Sequence, residues 1–226
     1  MCNIGYCHEH GYGVRKDYKK AVKWYLKAAE RGDSAAQYNL GECYRHGDGV
    51  CQDYKEAAKW YLKAAEQGYA GAQNNLGVFY EHGNGVSQDS KEAIKWYRKA
   101  AEQGHVGAQY RLGVCYENGE GVCQNHKKAA VWYLKAAEQG YADAQRNIGE
   151  CYLDGNGVNQ DYKEAVIWFQ KAARQGDAGA QYCLGYCYKY GLGIRRNRKK
   201  SIDMFLRAAE QEHPGAIEEI NQLEAN

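Results

Sequence analysis

Residues 33–68 read DSAAQYNLGECYRHGDGVCQDYKEAAKWYLKAAEQG, and this stretch decides the fold. Its first half sets Ala36, Leu40, Cys43 and Tyr44 at helical spacing and then breaks at HGDGV. The second half sets Ala57, Trp60, Tyr61, Ala64 and Ala65 at helical spacing and stops at Gly68. The spacing predicts a helical hairpin. Gly47 suits the left-handed residue that closes the first helix and Gly68 the one that closes the second. Asp53 suits the second N-cap, with Glu56 three residues on completing a capping box, a pattern repeated by Asp89 with Glu92 and by Asp161 with Glu164.

The hairpin recurs along the chain. Gly5, Gly41, Gly77, Gly113, Gly149 and Gly185 are each 36 residues apart, and Trp24, Trp60, Trp96, Trp132 and Trp168 keep the same step. WYLKAAE itself stands unchanged at 24–30, 60–66 and 132–138. A fixed period of this size marks a repeat array, in which one unit cannot bury its apolar face alone and neighbours bury it together. The expected fold is all-α, a right-handed α/α solenoid of six hairpins at 1–32, 33–68, 69–104, 105–140, 141–176 and 177–212, with a capping segment at 213–226. Gly41, Ala36 and Ala64 remove bulk where helices approach, whereas Trp60 and Tyr44 supply knobs between hairpins.

The pattern AAQYNLGECYRHGDGVCQDYKEAAKWYLKAAEQG closely resembles the Sel1-like repeat, a relative of the tetratricopeptide repeat, and the resemblance covers essentially the whole chain. It implies a superhelix whose first helices line a concave groove, and a role as a scaffold or adaptor for protein complexes. It does not choose among the settings in which such scaffolds work. Both ends depart from the pattern. Met1 falls where the repeat carries Gln and His8 where later copies carry Tyr44, Tyr80, Tyr116, Tyr152 and Tyr188, so the first hairpin reads as truncated and either a fragment of a longer array or a preceding domain is expected. Copy six exchanges Trp for Met204 and Gly for Glu212.

Positions shared by all copies build the framework, and those that differ can carry specificity. Spacing of i, i+4 and i+8 puts the differing residues in one stripe per first helix. The stripe comprises Tyr38, Glu42 and His46; Asn74, Val78 and His82; Tyr110, Val114 and Asn118; Arg146, Glu150 and Asp154; and Tyr182, Tyr186 and Tyr190. A neighbouring stripe adds Arg45, Glu81, Glu117, Leu153 and Lys189. By the resemblance to tetratricopeptide repeats these residues face the groove. Asn39, Asn75 and Asn147, with Arg111 in the fourth copy, match the position from which such repeats hydrogen-bond a bound peptide backbone. A mixture of Tyr, Arg, Asn and Glu suits protein recognition, since aromatic rings give stiff contact area and polar groups fix register. The expected partner is a protein or peptide segment.

Composition excludes little else. With 30 Lys and Arg against 28 Asp and Glu, the formal charge of +2 gives no general attraction to nucleic acid or anionic lipid. No apolar run could span a bilayer, and the first residues do not form a signal peptide, so the chain reads as cytoplasmic. Oligomeric state is not legible. Nine cysteines, no Thr and four Ser disfavour a glycosylated, fully disulfide-paired domain. Cys7, Cys43, Cys115, Cys151 and Cys187 share a position that is Phe79 in copy three, which reads as apolar packing. Cys43 with Cys51, and Cys115 with Cys123, are spaced to span the turn, leaving a disulfide there open.

No catalytic residue, metal site or cofactor is expected. His10, His46 and His82 share one position, but neighbouring helices lie about 8–10 Å apart while zinc ligands converge within about 2 Å of the ion. The serines have no nucleophile-elbow context, and GDGV, GNGV and GEGV lack the Lys and Ser/Thr of a phosphate loop. One cluster stands apart: RRNRKK at 195–200 gathers Arg195, Arg196, Arg198, Lys199 and Lys200 at a helix start, as a solvated cap, an anionic docking patch or a localisation signal. Scaffold function is the leading reading; cell-wall binding or hydrolysis, proposed for cysteine-rich relatives, and a spacer within a larger protein are the alternatives.

Overall fold

The computed structural model describes residues 1–224, so the expected cap at 213–226 runs two residues, 225 and 226, past the described chain. Every regular element among the described residues is helical. In order they are α1 (Cys2–His10), α2 (Tyr18–Ala29), α3 (Ser34–His46), α4 (Tyr54–Glu66), α5 (Ala70–His82), α6 (Ser90–Glu102), α7 (Val106–Asn118), α8 (His126–Glu138), α9 (Ala142–Asp154), α10 (Tyr162–Arg174), α11 (Ala178–Tyr190), α12 (Arg198–Ala209) and α13 (Pro214–Glu224). Two compact units hold them: Met1–Leu112 with Glu120–Cys123, and Gly113–Gly119 with Gln124–Asn226. Within each unit every helix packs on its neighbours in sequence, from α1 to α6 in the first and from α8 to α13 in the second.

The turns explain where each hairpin folds back. Gly47 closes α3 at φ 81° and donates its N–H to the Cys43 carbonyl at 2.8 Å. Gly49, two residues on at φ 75°, lies against the start of α2, where a Cβ would come within 2.5 Å of the Tyr18 carbonyl carbon. One glycine thus turns the chain and the next lets the turn settle on the preceding hairpin. Asp53 then caps α4, its carboxylate accepting from the N–H groups of Lys55 at 2.8 Å and Glu56 at 3.1 Å.

The reciprocal half of the expected capping box does not form. The Asp53 N–H donates to the Tyr44 carbonyl at 2.9 Å, across the hairpin, and the Glu56 carboxylate pairs with Lys59. Asp89 and Asp161 likewise donate to the carbonyls of Tyr80 and Tyr152. A tertiary bond has taken the donor that a local motif would have used.

The core also differs in detail from the sequence expectation. Tyr61, not Trp60, is the fully buried aromatic of α4, and its ring lies over Gly41, where a Cβ would meet ring carbon Cε1 at 2.6 Å. Trp60 is half-buried and lies under the Lys63 ammonium, 4.0 Å from the ring centre. Lys99, Lys135 and Lys171 cover Trp96, Trp132 and Trp168 in the same way. Small residues complete the core: Ala57, Ala64, Ala65 and Ala72 are buried with Leu76 and Phe79.

Buried glutamine ties successive hairpins together. Gln37 donates its amide to the Ala29 carbonyl of the preceding hairpin at 3.1 Å, while its Oε1 accepts from Gln67 at 2.6 Å. Gln73 with Gln103 and Gln145 with Gln175 repeat the arrangement. Both polar ends of a buried side chain are satisfied, which the burial of an amide requires.

Candidate functional site

The first helices carry the differing residues, and the structure separates them by what they touch. The last member of each stripe is exposed: His46 and His82 in the first unit, Asn118, Asp154 and Tyr190 in the second. Tyr186 is exposed as well, and its ring lies 4.5 Å from that of Tyr190. Tyr38, Val78, Tyr110, Val114 and Tyr182 are half-buried. Tyr38 packs between Tyr61 and Tyr69, with ring centres 5.9 and 4.9 Å away, and Tyr182 stacks on His213 at 4.7 Å.

Several charged members also hold the framework together. The Glu42 carboxylate accepts from the Tyr61 hydroxyl, from Arg45 at 2.7 Å and from Asn75 at 2.7 Å. Glu81 accepts from the Tyr97 hydroxyl and pairs with Arg111 at 3.3 Å; Glu117 accepts from the Tyr133 hydroxyl at 2.6 Å. Burial, then the Glu42 charge, pushes the Tyr61 phenol well above the usual tyrosine range, so the hydroxyl stays a donor. Arg146 pairs with Glu150 at 3.1 Å, Asp177 at 3.4 Å and Asp143 at 3.9 Å.

This second duty has a signature in the sequence that stripe spacing alone does not reveal. Tyrosine stands at 25, 97 and 133, where the facing positions 9, 81 and 117 are Glu. Where the facing residue is Leu153 or Lys189, the aromatic is Phe169 or Phe205. In the second copy Arg45 takes the facing position, and Glu42 supplies the carboxylate from one turn earlier. The hydroxyl is kept only where an acceptor meets it, because an unpaired buried hydroxyl costs about 1–3 kcal/mol.

The asparagines do not share one environment. Asn75 reaches Glu42, Asn39 donates to the Cys2 sulfur at 3.7 Å, and Asn74 donates to Asn75 at 3.2 Å. Asn147 is buried, and its Oδ1 accepts no hydrogen bond. Close by on the same helix, burial raises the Glu150 carboxyl above the usual range, the Arg146 guanidinium opposing it.

The remaining chemistry-bearing residues are dispersed. All nine cysteines are free thiols; Cys43 and Cys115 are buried while Cys51 and Cys123 are exposed. Burial pushes the Cys43 thiol up to about 12, which suppresses thiolate formation. Among the described residues no group of three or more His, Cys, Asp and Glu is placed to hold a metal ion. No helix among them is long and apolar enough to cross a membrane.

Known proteins resemble the chain over most of its length. The Sel1 repeat family matches six times, at residues 1–33, 34–69, 70–105, 106–141, 142–177 and 178–213. A crystal structure of c5321, a protective antigen present in uropathogenic Escherichia coli strains, is 40% identical with a TM-score of 0.91. The match covers 95% of this chain but only 46% of the antigen. A Sel1 repeat protein from Oxalobacter formigenes is 37% identical with a TM-score of 0.88, covering 96% of this chain and 88% of that one. YrrB, a tetratricopeptide repeat protein described as having an unusual peptide-binding site, shares the fold at 23% identity and a TM-score of 0.56, over 87% of this chain and 97% of its own. Among curated proteins none matches.

Proposed function

The chain belongs to the Sel1 repeat family, and we propose that it is a non-catalytic protein-interaction scaffold that binds a segment of a partner protein along the differing residues of its first helices. One observation carries this reading. Second helices repeat nearly unchanged while exposed first-helix positions change chemistry from copy to copy, through His46, His82, Asn118, Asp154 and Tyr190. A surface kept only for solvation gains nothing from placing two touching tyrosines there; Tyr186 and Tyr190 provide the rigid aromatic area that protein contacts use.

Of the proposed contact residues, the exposed ones bind directly. Tyr38, Glu42, Glu81, Glu117 and Arg146 hold the surface in place through the internal contacts described above. Paired affinity capture tests the reading. Alanine at His82, Asp154, Tyr186 and Tyr190 together is expected to lose a protein that alanine at the second-helix residues Lys63 and Lys135 retains. Equal retention by both variants would sink it.

A further inference from the structure

The last hairpin holds a cavity that meets the stripes only at Lys189. It lies between α12 and α13, has a volume of about 380 Å³, and is floored by Ile202, Phe205 and Leu223, with Arg196, Arg198 and Lys189 among its charged lining. An adjoining cavity of about 360 Å³ shares Arg196 and adds Arg195 and Lys200. RRNRKK, the cluster that stood apart in the sequence, therefore borders two neighbouring hollows.

Comparison with the other copies shows what changed. Gln52, Gln88, Gln124 and Gln160 each donate a side-chain amide to a carbonyl seven residues earlier, bridging the turn at 2.7–2.9 Å. Arg196 makes the same bridge with Nε, to the Lys189 carbonyl at 2.8 Å, and its terminal nitrogens meet no partner among the described residues. The substitution keeps the framework bond and adds a planar two-pronged donor at the cavity. Arg198 stands where the second and fifth copies carry Tyr54 and Tyr162. There the turn of the following hairpin, at Gly85 or Gly193, lies against the Tyr54 or Tyr162 backbone.

Charge in the hollow is one-sided. Glu219 is matched by Lys189 at 2.6 Å, and Asp203 by Arg207 at 3.1 Å. Arg195, Arg198 and Lys199 have no ion pair among the described residues, and Lys200 lies 5.5 Å from the Tyr188 ring centre. An apolar floor beside unmatched cations fits an apolar side chain flanked by carboxylates. The cations line both cavities. The rings lining them, Phe205 and Tyr188, are buried and offer no open face on which a base could stack.

We propose that this cavity is a second protein-docking site, taking an acidic peptide segment that inserts one large apolar side chain against Ile202 and Leu223 while its carboxylates meet Arg196 and Arg198. It meets the first-helix stripes only through Lys189, so loss of binding at Arg196 and Arg198 is distinguishable from loss at Tyr186 and Tyr190.

The test is fluorescence anisotropy with the full chain and a fluorescein-labelled, acetylated peptide, Glu-Asp-Glu-Phe-Glu-Asp-Glu. Saturable binding is expected, weakened about tenfold when Ala replaces the central Phe. It should also weaken about tenfold in the double variant Arg196→Gln, Arg198→Tyr, which introduces the residues of the second and fifth copies and so keeps the turn bridge. Unchanged helicity by circular dichroism confirms that this variant folds. Equal affinity for the Phe and Ala peptides, or an unaffected variant, overturns the proposal. Tighter binding of a single-stranded oligonucleotide of equal charge overturns it in favour of polyanion capture. Sedimentation showing self-association that the double variant abolishes overturns it in favour of a second copy as occupant.

Discussion

Replacing Glu42 with Leu and Tyr61 with Phe, singly and together, tests whether the charged stripe residues belong to the framework. Tyr61 is fully buried and its hydroxyl donates to Glu42, which also accepts from Arg45 and Asn75. Tyr61→Phe removes one charge-assisted bond but leaves Glu42 two donors, so a loss of about 1–2 kcal/mol is expected. Glu42→Leu strands the buried hydroxyl and takes the acceptor from Arg45 and Asn75, for a loss of about 2–4 kcal/mol. In the double variant no hydroxyl remains to be stranded, as in the natural pair of Leu153 and Phe169. The double loss should therefore fall short of the sum by about 1–2 kcal/mol. Urea denaturation followed by circular dichroism, at a common m-value, measures all four corners of the cycle. Losses that add to within about 0.3 kcal/mol would refute the pairing of hydroxyl and carboxylate.

Other outcomes follow from single residues. Trp96 is buried, so Trp96→Ala should cost about 3–5 kcal/mol, whereas the half-buried Trp60 should lose less; equal denaturation midpoints would contradict this. Gly41→Ala forces a methyl group against the buried Tyr61 ring and should cost about 1–3 kcal/mol in the same assay, while an unchanged midpoint would show that the helices can separate freely. His105 accepts the Ala108 N–H through Nδ1 at 3.2 Å, and burial lowers its pKa. The unfolded chain therefore takes the proton first, so its contribution is complete above about pH 6.5 and is lost as pH falls through the lower folded value. His105→Asp, which supplies the cap that Asp33 and Asp177 provide, should flatten the stability profile between pH 7 and 5, and an unchanged slope would count against the cap.

The hairpins were legible because the 36-residue period runs from Gly5 to Gly185 without slippage and each break carries its own turn residues. Local rules reached as far as the Asp53 cap. They stopped at its second half, because nothing near Glu56 in sequence announces that Tyr44 will take the Asp53 N–H from across the hairpin. Size misled at the tryptophan. Trp60 is the larger ring, but the gap over Gly41 fits Tyr61, and Lys63 is free to shield what Trp60 leaves exposed. Spacing located the stripe but could not separate exposed residues such as Tyr186 from those bound internally, such as Glu42. That distinction was written in another helix, in the exchange of Tyr133 for Phe169 as Glu117 gives way to Leu153.

Site-specific photo-crosslinking in the source cell tests the scaffold reading most directly. A benzophenone side chain in place of Tyr186 lies on the proposed contact surface, and one in place of Lys135 lies on the exposed face of a second helix. A discrete protein adduct is expected from position 186 and none from position 135. Adducts of equal yield from both positions, or from position 135 alone, would contradict it.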